Sequence, residues 1–304
     1  MMNRREKKNA LTEINRMLME SYADGVGVNN ECSDSLPRRS EVIDVTEKLL
    51  ELIFPGFDRA GTYPSTFVLL GDVWRELADQ IERAMHRVKG GDCDTCEDNC
   101  SGRCDEFALT LLRAVPEIRE TLKLDVEAAY NGDPAAKSYD EIILSYPGLK
   151  AIAIQRLAHV LFAASVPLIP RMMTEYAHSA TGIDIHPGAT LGKGIFIDHG
   201  TGVVIGETAV IGDNVRIYQG VTLGAGNFPK NACGMIIKGL RRHPTIGNNV
   251  TIYSGASVLG DVTIGDNSVI GGNVWLTESL PPGTKITALP PEHKRKNLME
   301  KVQK

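Results

Sequence analysis

Three short clusters place histidine beside a carboxylate or a guanidinium: Asp184-Ile185-His186-Pro187, Asp198-His199-Gly200-Thr201-Gly202 and Arg242-His243-Pro244. An imidazole next to a carboxylate suits proton abstraction from a hydroxyl. The carboxylate holds one ring nitrogen in its protonated tautomer and leaves the other free as a general base. That base-plus-orienter arrangement turns a hydroxyl into a nucleophile. Asp184 and His199 stand fifteen residues apart, so they qualify if the chain returns on itself at about that interval. Taken singly, each cluster has a plainer role. His186 before Pro187 reads as a corner residue, Asp198 as a turn cap, and Arg242-His243 as the solvated end of a loop.

The surrounding pattern decides between these readings. Aliphatic residues recur at every sixth position from Ile246 through Ile252, Val258, Ile264 and Ile270 to Leu276. The same beat runs through Ile185, Leu191 and Ile197, then Ile205, Ile211, Ile217 and Leu223. A six-residue period with Gly, Asn or Asp between the aliphatics predicts a left-handed parallel β-helix of hexapeptide repeats. Each hexad supplies one short strand and a turn, and stacked coils share one continuous core. Three hexads, about eighteen residues, close one coil, so Asp184 is expected on the coil beneath His199, near the same edge. The beat breaks twice. Between Ile197 and Ile205 the spacing is eight, and the extra residues lie in Asp198–Gly202. Between Leu223 and Ile246 it is lost in a loop ending Arg241-Arg242-His243-Pro244. Both breaks carry histidine, and irregular segments on a rigid scaffold tend to hold function. His199 is therefore expected to be a general base and Asp184 its orienting carboxylate.

The rest of the chain reads as helical. Glu41 to Phe54 has Val42, Val45, Leu49, Leu50 and Ile53 at helical spacing and stops before Pro55-Gly56. Thr66 to Val88 and Glu106 to Tyr130 repeat the pattern, and Ser138 to Phe162 is interrupted at Tyr146-Pro147-Gly148, which predicts two helices at an angle. His159 reads as a satisfied core histidine and His86 as a surface one. The expected organisation is α+β: an N-terminal helical domain over residues 1–180, with 1–40 partly mobile, then a β-helix over 181–280. A loop at 226–243 is extruded from the β-helix, and a charged tail occupies 281–304.

Composition narrows the function classes. With 304 residues, 42% hydrophobic, the chain can bury a sizeable core. A net charge of −5 gives no reason to expect nucleic acid or an anionic membrane as partner. No apolar run approaches a membrane span, and the basic start lacks the apolar stretch of a secretory signal, so a cytoplasmic location is expected. Four of the six cysteines, Cys93, Cys96, Cys100 and Cys104, lie close together, with Cys32 and Cys233 apart. Tight C-x2-C spacing points away from a disulfide framework and towards metal or redox chemistry, but the set matches no standard zinc pattern and holds no histidine; inert or locally oxidisable thiols are the favoured reading and a bound metal the alternative.

The motifs together resemble a known family. Asp184-Ile185-His186-Pro187-Gly188-Ala189, Ile197 to Gly202, and Val204-Ile205-Gly206-Glu207-Thr208-Ala209-Val210-Ile211 closely resemble serine O-acetyltransferases. So do Val221-Thr222-Leu223-Gly224-Ala225, Arg242 to Gly247, and upstream Gly132-Asp133-Pro134-Ala135-Ala136-Lys137-Ser138. The resemblance covers about residues 125 to 280. It implies transfer of acetyl from acetyl-CoA, a co-substrate rather than a resident cofactor, to the hydroxyl of L-serine, as the first step of cysteine synthesis. No metal is implied. His199 matches the family's base and Asp184 its orienter. Asp133 and Asp198 match contacts to the serine ammonium, and Arg242 the contact to its carboxylate, where a guanidinium fork fits bidentately. His243 matches a second active-site histidine that helps the tetrahedral oxyanion. Gly224, Ala225 and Gly255 match small residues along which acetyl-CoA lies between adjacent prisms. The resemblance further implies a homotrimer or dimer of trimers and feedback inhibition by L-cysteine. The final Val302-Gln303-Lys304 departs from the isoleucine of members that dock into cysteine synthase, which argues against that complex here.

Three rivals remain at this stage. Another hexapeptide acyltransferase, acting on a different hydroxyl or amine, would leave Asp133, Asp198 and Arg242 without a purpose. A β-helix carbonic anhydrase would need a zinc-binding histidine set that the spacing lacks. A bare scaffold would have no need to break its repeat at histidines.

Overall fold

In a computed structural model describing residues 2–23, 36–57, 64–88, 100–231 and 233–289, the six-residue beat becomes three columns of short parallel strands. The first coil holds β1 (Asp184–Ile185), β2 (Thr190–Leu191) and β3 (Phe196–Asp198), and the second holds β4 (Val204–Ile205), β5 (Val210–Ile211) and β6 (Arg216–Tyr218). The third holds β7 (Thr222–Gly224), β8 (Thr245–Ile246) and β9 (Thr251–Ile252). The fourth holds β10 (Ser257–Leu259), β11 (Thr263–Ile264) and β12 (Val269–Ile270), and the fifth β13 (Trp275–Leu276) and β14 (Lys285–Ile286). Face A stacks β1-β4-β7-β10-β13, face B β2-β5-β8-β11, and face C β3-β6-β9-β12-β14. The solenoid is thus a three-sided prism of about five coils.

Register explains the beat. Ile185, Ile205, Leu223, Val258 and Leu276 align on face A and are all buried, as are Ile197, Ile217, Ile252 and Ile270 on face C. Truncating one of these aliphatics to alanine removes core contacts worth about 2–5 kcal/mol. The eight-residue break lengthens the first coil: Asp184 pairs with Val204, twenty residues on, whereas Val204 pairs with Thr222, eighteen on. The second break leaves the prism between β7 and β8 as an arm. Lys230 and Ile236 form an antiparallel bridge in it, and the Asn231 side chain accepts from the N–H groups of Cys233 and Met235, both at 3.0 Å.

Seven helices precede the prism among the described residues. The chain divides into two compact units, Met1–Leu36 and Pro37–Lys304. The first holds α1 (Arg4–Tyr22), started by a capping box in which Asn3 accepts from Arg5 and Glu6 while Glu6 accepts from the Asn3 N–H. Of residues 1–40, expected to be partly mobile, residue 1 and residues 24–35 lie outside the described residues. The second unit holds α2 (Arg39–Ile53), α3 (Thr66–Val88), α4 (Cys100–Gly132), α5 (Tyr139–Ser145), α6 (Pro147–Ala163) and α7 (Ile169–Thr181), together with the prism. The break expected at Tyr146-Pro147 separates α5 from α6, with proline in the first turn of α6, where its missing N–H costs nothing.

Buried polar groups dock these helices onto the first coil. Arg156 of α6 pairs with the buried Asp125 of α4 at 2.9 Å and donates to the carbonyls of Leu191 and Gly192. Asp125 in turn accepts from the Ile195 N–H at 2.8 Å, and Gln155 donates to the Ala189 carbonyl at 2.7 Å. The buried carboxylate and guanidinium thus meet each other and the backbone of the first coil, as a buried charge pair requires. His159, as expected, is satisfied, with Nδ1 2.8 Å from the Pro187 carbonyl. Cys104 is buried in the helical core and Cys233 is exposed, whereas Cys32, Cys93 and Cys96 lie outside the described residues. No helix among the described residues is long and apolar enough to cross a membrane.

Candidate active site

Two corners of the prism, on either side of face A, hold the candidate residues. At the corner between faces C and A, β3 ends in Asp198 and the extra residues begin. His199 takes a left-handed conformation, φ 56°, and its side chain is 72% exposed. This conformation is uncommon outside glycine, although histidine is among the residues enriched there. Here it turns the imidazole outward, with Nδ1 3.7 Å from the Asp198 carboxylate.

Two residues from the connections between helices join them. Gly148, at the start of α6, lies so close to β3 that a Cβ there would come within 2.2 Å of the Ile197 carbonyl. Only glycine permits that approach, and it brings the α5–α6 junction to the corner. The Tyr146 hydroxyl donates to Asp133 at 2.5 Å, and Asp133 also accepts from the Ala135 N–H at 2.8 Å. The tyrosine bond first, and then the backbone bond, hold the Asp133 carboxyl below its ordinary range, and the field of His199 acts in the same direction. Burial and then Asp133 push the Tyr146 hydroxyl up, with Asp198 adding to the effect, so it remains a donor. Asp133, Tyr146, Asp198 and His199 thus make one acidic pocket wall with an exposed imidazole.

At the corner between faces A and B, the arm returns to the prism. His243 is only 6% exposed, and its ring lies against Gly206, where a Cβ would come within 2.1 Å of it. Its Nδ1 accepts from the Thr208 N–H at 3.1 Å and lies 2.9 Å from the Thr208 hydroxyl. That hydroxyl accepts the N–H groups of Arg242 at 3.0 Å and His243 at 3.2 Å, so its own proton is directed to Nδ1. Burial, followed by the Arg242 charge, lowers the His243 pKa to about 4. The ring is therefore neutral at neutral pH, and with Nδ1 accepting, its proton sits on Nε2. Arg242 donates to Glu207 at 2.5 Å, and this contact holds the Glu207 carboxyl below its usual range. His186 stands in the same field. Its Nδ1 accepts from the Gly188 N–H at 3.0 Å, and burial lowers its pKa, followed by the charge of Arg171.

Within one chain the two corners do not meet. Asp184 lies on face A, paired with Arg171 at 3.5 Å rather than with His199. The register stacks Asp184 under Val204, and Arg171 of α7 reaches its carboxylate there. Asp184, Glu175 and His178 carry ligand atoms within 4.8 Å of one another, but Arg171 pairs with both carboxylates and opposes a cation there. Gly224 and Ala225 lie where face A runs out into the arm, and Gly255 lies at the C–A corner. A cavity of about 800 Å³ opens beneath the arm, bounded by Glu207, Phe228, Ile237, Arg242, Leu259 and Asp261.

Local sequence marks Tyr146 only as a helix break, Glu207 and Thr208 only as parts of a motif, and His186 only as a corner residue. The register shows why the middle pair belongs to the site. Val210 pairs with Thr245, and the same offset of thirty-five residues carries Glu207 and Thr208 onto Arg242 and His243.

A family model described as "Serine acetyltransferase, N-terminal" matches residues 97–154, and one described as "Bacterial transferase hexapeptide (six repeats)" matches residues 243–278. A plasmid serine acetyltransferase of Synechococcus elongatus is 46% identical over 260 residues, 83% of this chain and 82% of the relative. The serine acetyltransferase of Mycobacterium tuberculosis is 46% identical over 55% of this chain and 69% of its own length. The crystal structure of Entamoeba histolytica serine acetyltransferase 1 in complex with L-cysteine superposes with a TM-score of 0.69 at 39% identity, covering 80% of this chain and 85% of that one. Soybean serine acetyltransferase complexed with serine gives 0.54 at 29% identity, over 82% and 97%. A β-solenoid broken at two histidine-bearing corners, helices docked on its first coil, and identity across most of a full-length relative lead to one conclusion: the chain belongs to the serine acetyltransferase family.

Proposed function

We propose that the chain transfers the acetyl group of acetyl-CoA to the hydroxyl of L-serine, at sites formed where the C–A corner of one prism meets the A–B corner of its neighbour in at least a trimer. One observation carries this reading: the counter-charges for a zwitterion are divided between two corners of the same chain. Asp133 and Asp198 suit an ammonium and stand with His199. Arg242 suits a carboxylate and stands with His243 at the other corner. Neither corner alone holds an amino acid at both ends. The same division affects the donor groove, since Gly224 and Ala225 flank one edge of face A and Gly255 the other.

In the joined site, His199 takes the proton of the serine hydroxyl as the oxygen attacks the thioester carbonyl. Asp184 exchanges its Arg171 partner for the imidazole and steadies the imidazolium. The carbonyl oxygen becomes an oxyanion, and the neutral Nε2–H of His243 donates to it. A preorganised donor of this kind contributes about 10²–10³ in rate. The tetrahedral intermediate then collapses: the carbon–sulfur bond breaks, the CoA thiolate leaves, and the imidazolium returns the proton to sulfur. The helices supply Asp133 and Tyr146 and the prism supplies the rest, so a division near residue 180 is also a division of labour. L-Cysteine presents the same ammonium and carboxylate and competes for the site.

Thiol release from acetyl-CoA, measured with and without L-serine, tests the reading. Release that depends on serine is expected. Serine-independent release, or none, overturns it.

A further inference from the structure

Arg171 stands in the first turn of α7, where a cation opposes the helix dipole and no acidic residue of that turn offsets it. Its partners lie further on. The guanidinium contacts Glu175, one turn along the helix and its closer partner, and reaches Asp184 of β1 at 3.5 Å. The second contact is longer than a hydrogen bond, so Asp184 can turn to another partner while Glu175 keeps the guanidinium in place. The other charged groups nearby have partners of their own. His178 lies with Nδ1 3.5 Å from Glu175. His186, two residues along β1, is kept from charging by burial and then by Arg171 itself, and beyond it Glu207 pairs with Arg242. On the neighbouring helices Lys48 pairs with Asp44 and Glu76, Lys150 with Glu47 and Arg156 with Asp125. His159 turns to the Pro187 carbonyl. Among the described residues, Arg171 is thus the cation paired with Asp184.

That pairing bears on the base. In the joined site His199 meets three carboxylates: Asp198, 3.7 Å away, and Asp133, both at its own corner, and Asp184. Each favours the imidazolium, and an imidazolium cannot take a proton. The serine ammonium answers Asp133 and Asp198, but neither substrate brings a cation to Asp184. We propose that Arg171, anchored by Glu175, is a positioning residue that stays beside Asp184 as the imidazole engages it, and that its charge keeps His199 neutral, and so a base, at neutral pH. Arg171 touches neither substrate and acts through Asp184. The inference rests on the function proposed above and adds to it the group that balances the dyad.

The test is the pH dependence of kcat/KM for serine, whose acid limb reports the base of the free enzyme. Two cations sharing one carboxylate stand roughly 6–7 Å apart, and Arg171 is 43% exposed, so solvent screens part of their repulsion. Arg171→Gln is therefore expected to move the acid limb to higher pH by about half a unit to one unit. The rate at about pH 6 then falls about 3- to 10-fold further than the rate at about pH 8.5. Arg171→Lys keeps the charge and should reverse most of that shift. Glu175→Gln releases Arg171 to close fully on Asp184, so its limb should move the other way, to lower pH. An acid limb that stays in place or moves to lower pH in Arg171→Gln would overturn the proposal. So would a loss equal at every pH, as a merely structural residue would give, or a lysine variant that behaves like the glutamine one. Should Arg171→Gln fail to assemble, Glu175→Gln decides: a limb that does not move to lower pH overturns the proposal. Failure of the underlying reading shows separately, as an absence of serine-dependent thiol release by the wild type at any pH.

Discussion

Replacing Thr208 by valine removes one hydroxyl and almost no volume, yet that hydroxyl meets three groups. It accepts the N–H groups of Arg242 and His243 and faces His243 Nδ1 at 2.9 Å. Valine leaves both N–H groups without that acceptor, and His243 keeps only the Thr208 N–H, at 3.1 Å. Stranding polar groups at a largely buried site costs about 1–3 kcal/mol. For a unit of this size that lowers Tm by about 3–8 °C. The ring is then less firmly held over Gly206, and its Nε2–H is displaced from the oxyanion. Complete removal of an oxyanion donor costs about 10²–10³ in kcat, so partial misplacement should cost about 10- to 100-fold. Thr208→Ser restores the hydroxyl and should recover both quantities. Thermal denaturation followed by steady-state kinetics on the folded fraction measures them together. A Thr208→Val protein with wild-type kcat per folded chain would refute the role of Thr208 in positioning His243, even if Tm fell.

His199→Ala should lower turnover at saturating serine by about 10²- to 10⁴-fold, the usual contribution of a general base; near wild-type turnover would remove His199 from that role. The lowered pKa of His243, about 4, makes the unfolded chain bind a proton that the folded chain refuses between about pH 6.5 and 4. Stability is therefore full above that window and falls within it, by up to about 3 kcal/mol. Urea unfolding at pH 7, 6 and 5 should show that slope, and it should flatten in His243→Gln. L-Cysteine should raise the apparent KM for serine without changing kcat, and inhibition that excess serine fails to relieve would contradict a shared zwitterion pocket.

The prism was readable because hexapeptide periodicity acts locally: each aliphatic position is buried by the same register, so Ile185, Ile205, Leu223, Val258 and Leu276 announced face A before any coordinates. The helix boundaries at Pro55 and Pro147 were readable for the same reason, since proline acts on its own turn. Three things were not. The height at which Asp184 sits depends on how the eight-residue corner is absorbed. An eighteen-residue coil would stack it under Gly202, whereas the lengthened coil stacks it under Val204, with Arg171 as its partner. Tyr146 reaches Asp133 only because α6 docks tightly at Gly148, a tertiary event with no local signature. The environment of His243 arises from packing between segments thirty-five residues apart, and that of His186 from a coil twenty residues on and from Phe162 of α6, which the six-residue beat does not reveal.

The division of the active site between neighbouring chains is tested most directly by mixing two inactive variants. His199→Ala damages only the C–A corner and Arg242→Ala only the A–B corner. Co-expressed in equal amounts, they form mixed trimers in which about one interface in four joins an intact corner of each kind. Serine-dependent thiol release should then recover to about a quarter of the wild-type activity per chain, although each variant alone is nearly inactive. Activity in the mixture no greater than the sum of the two variants would contradict a site shared between chains.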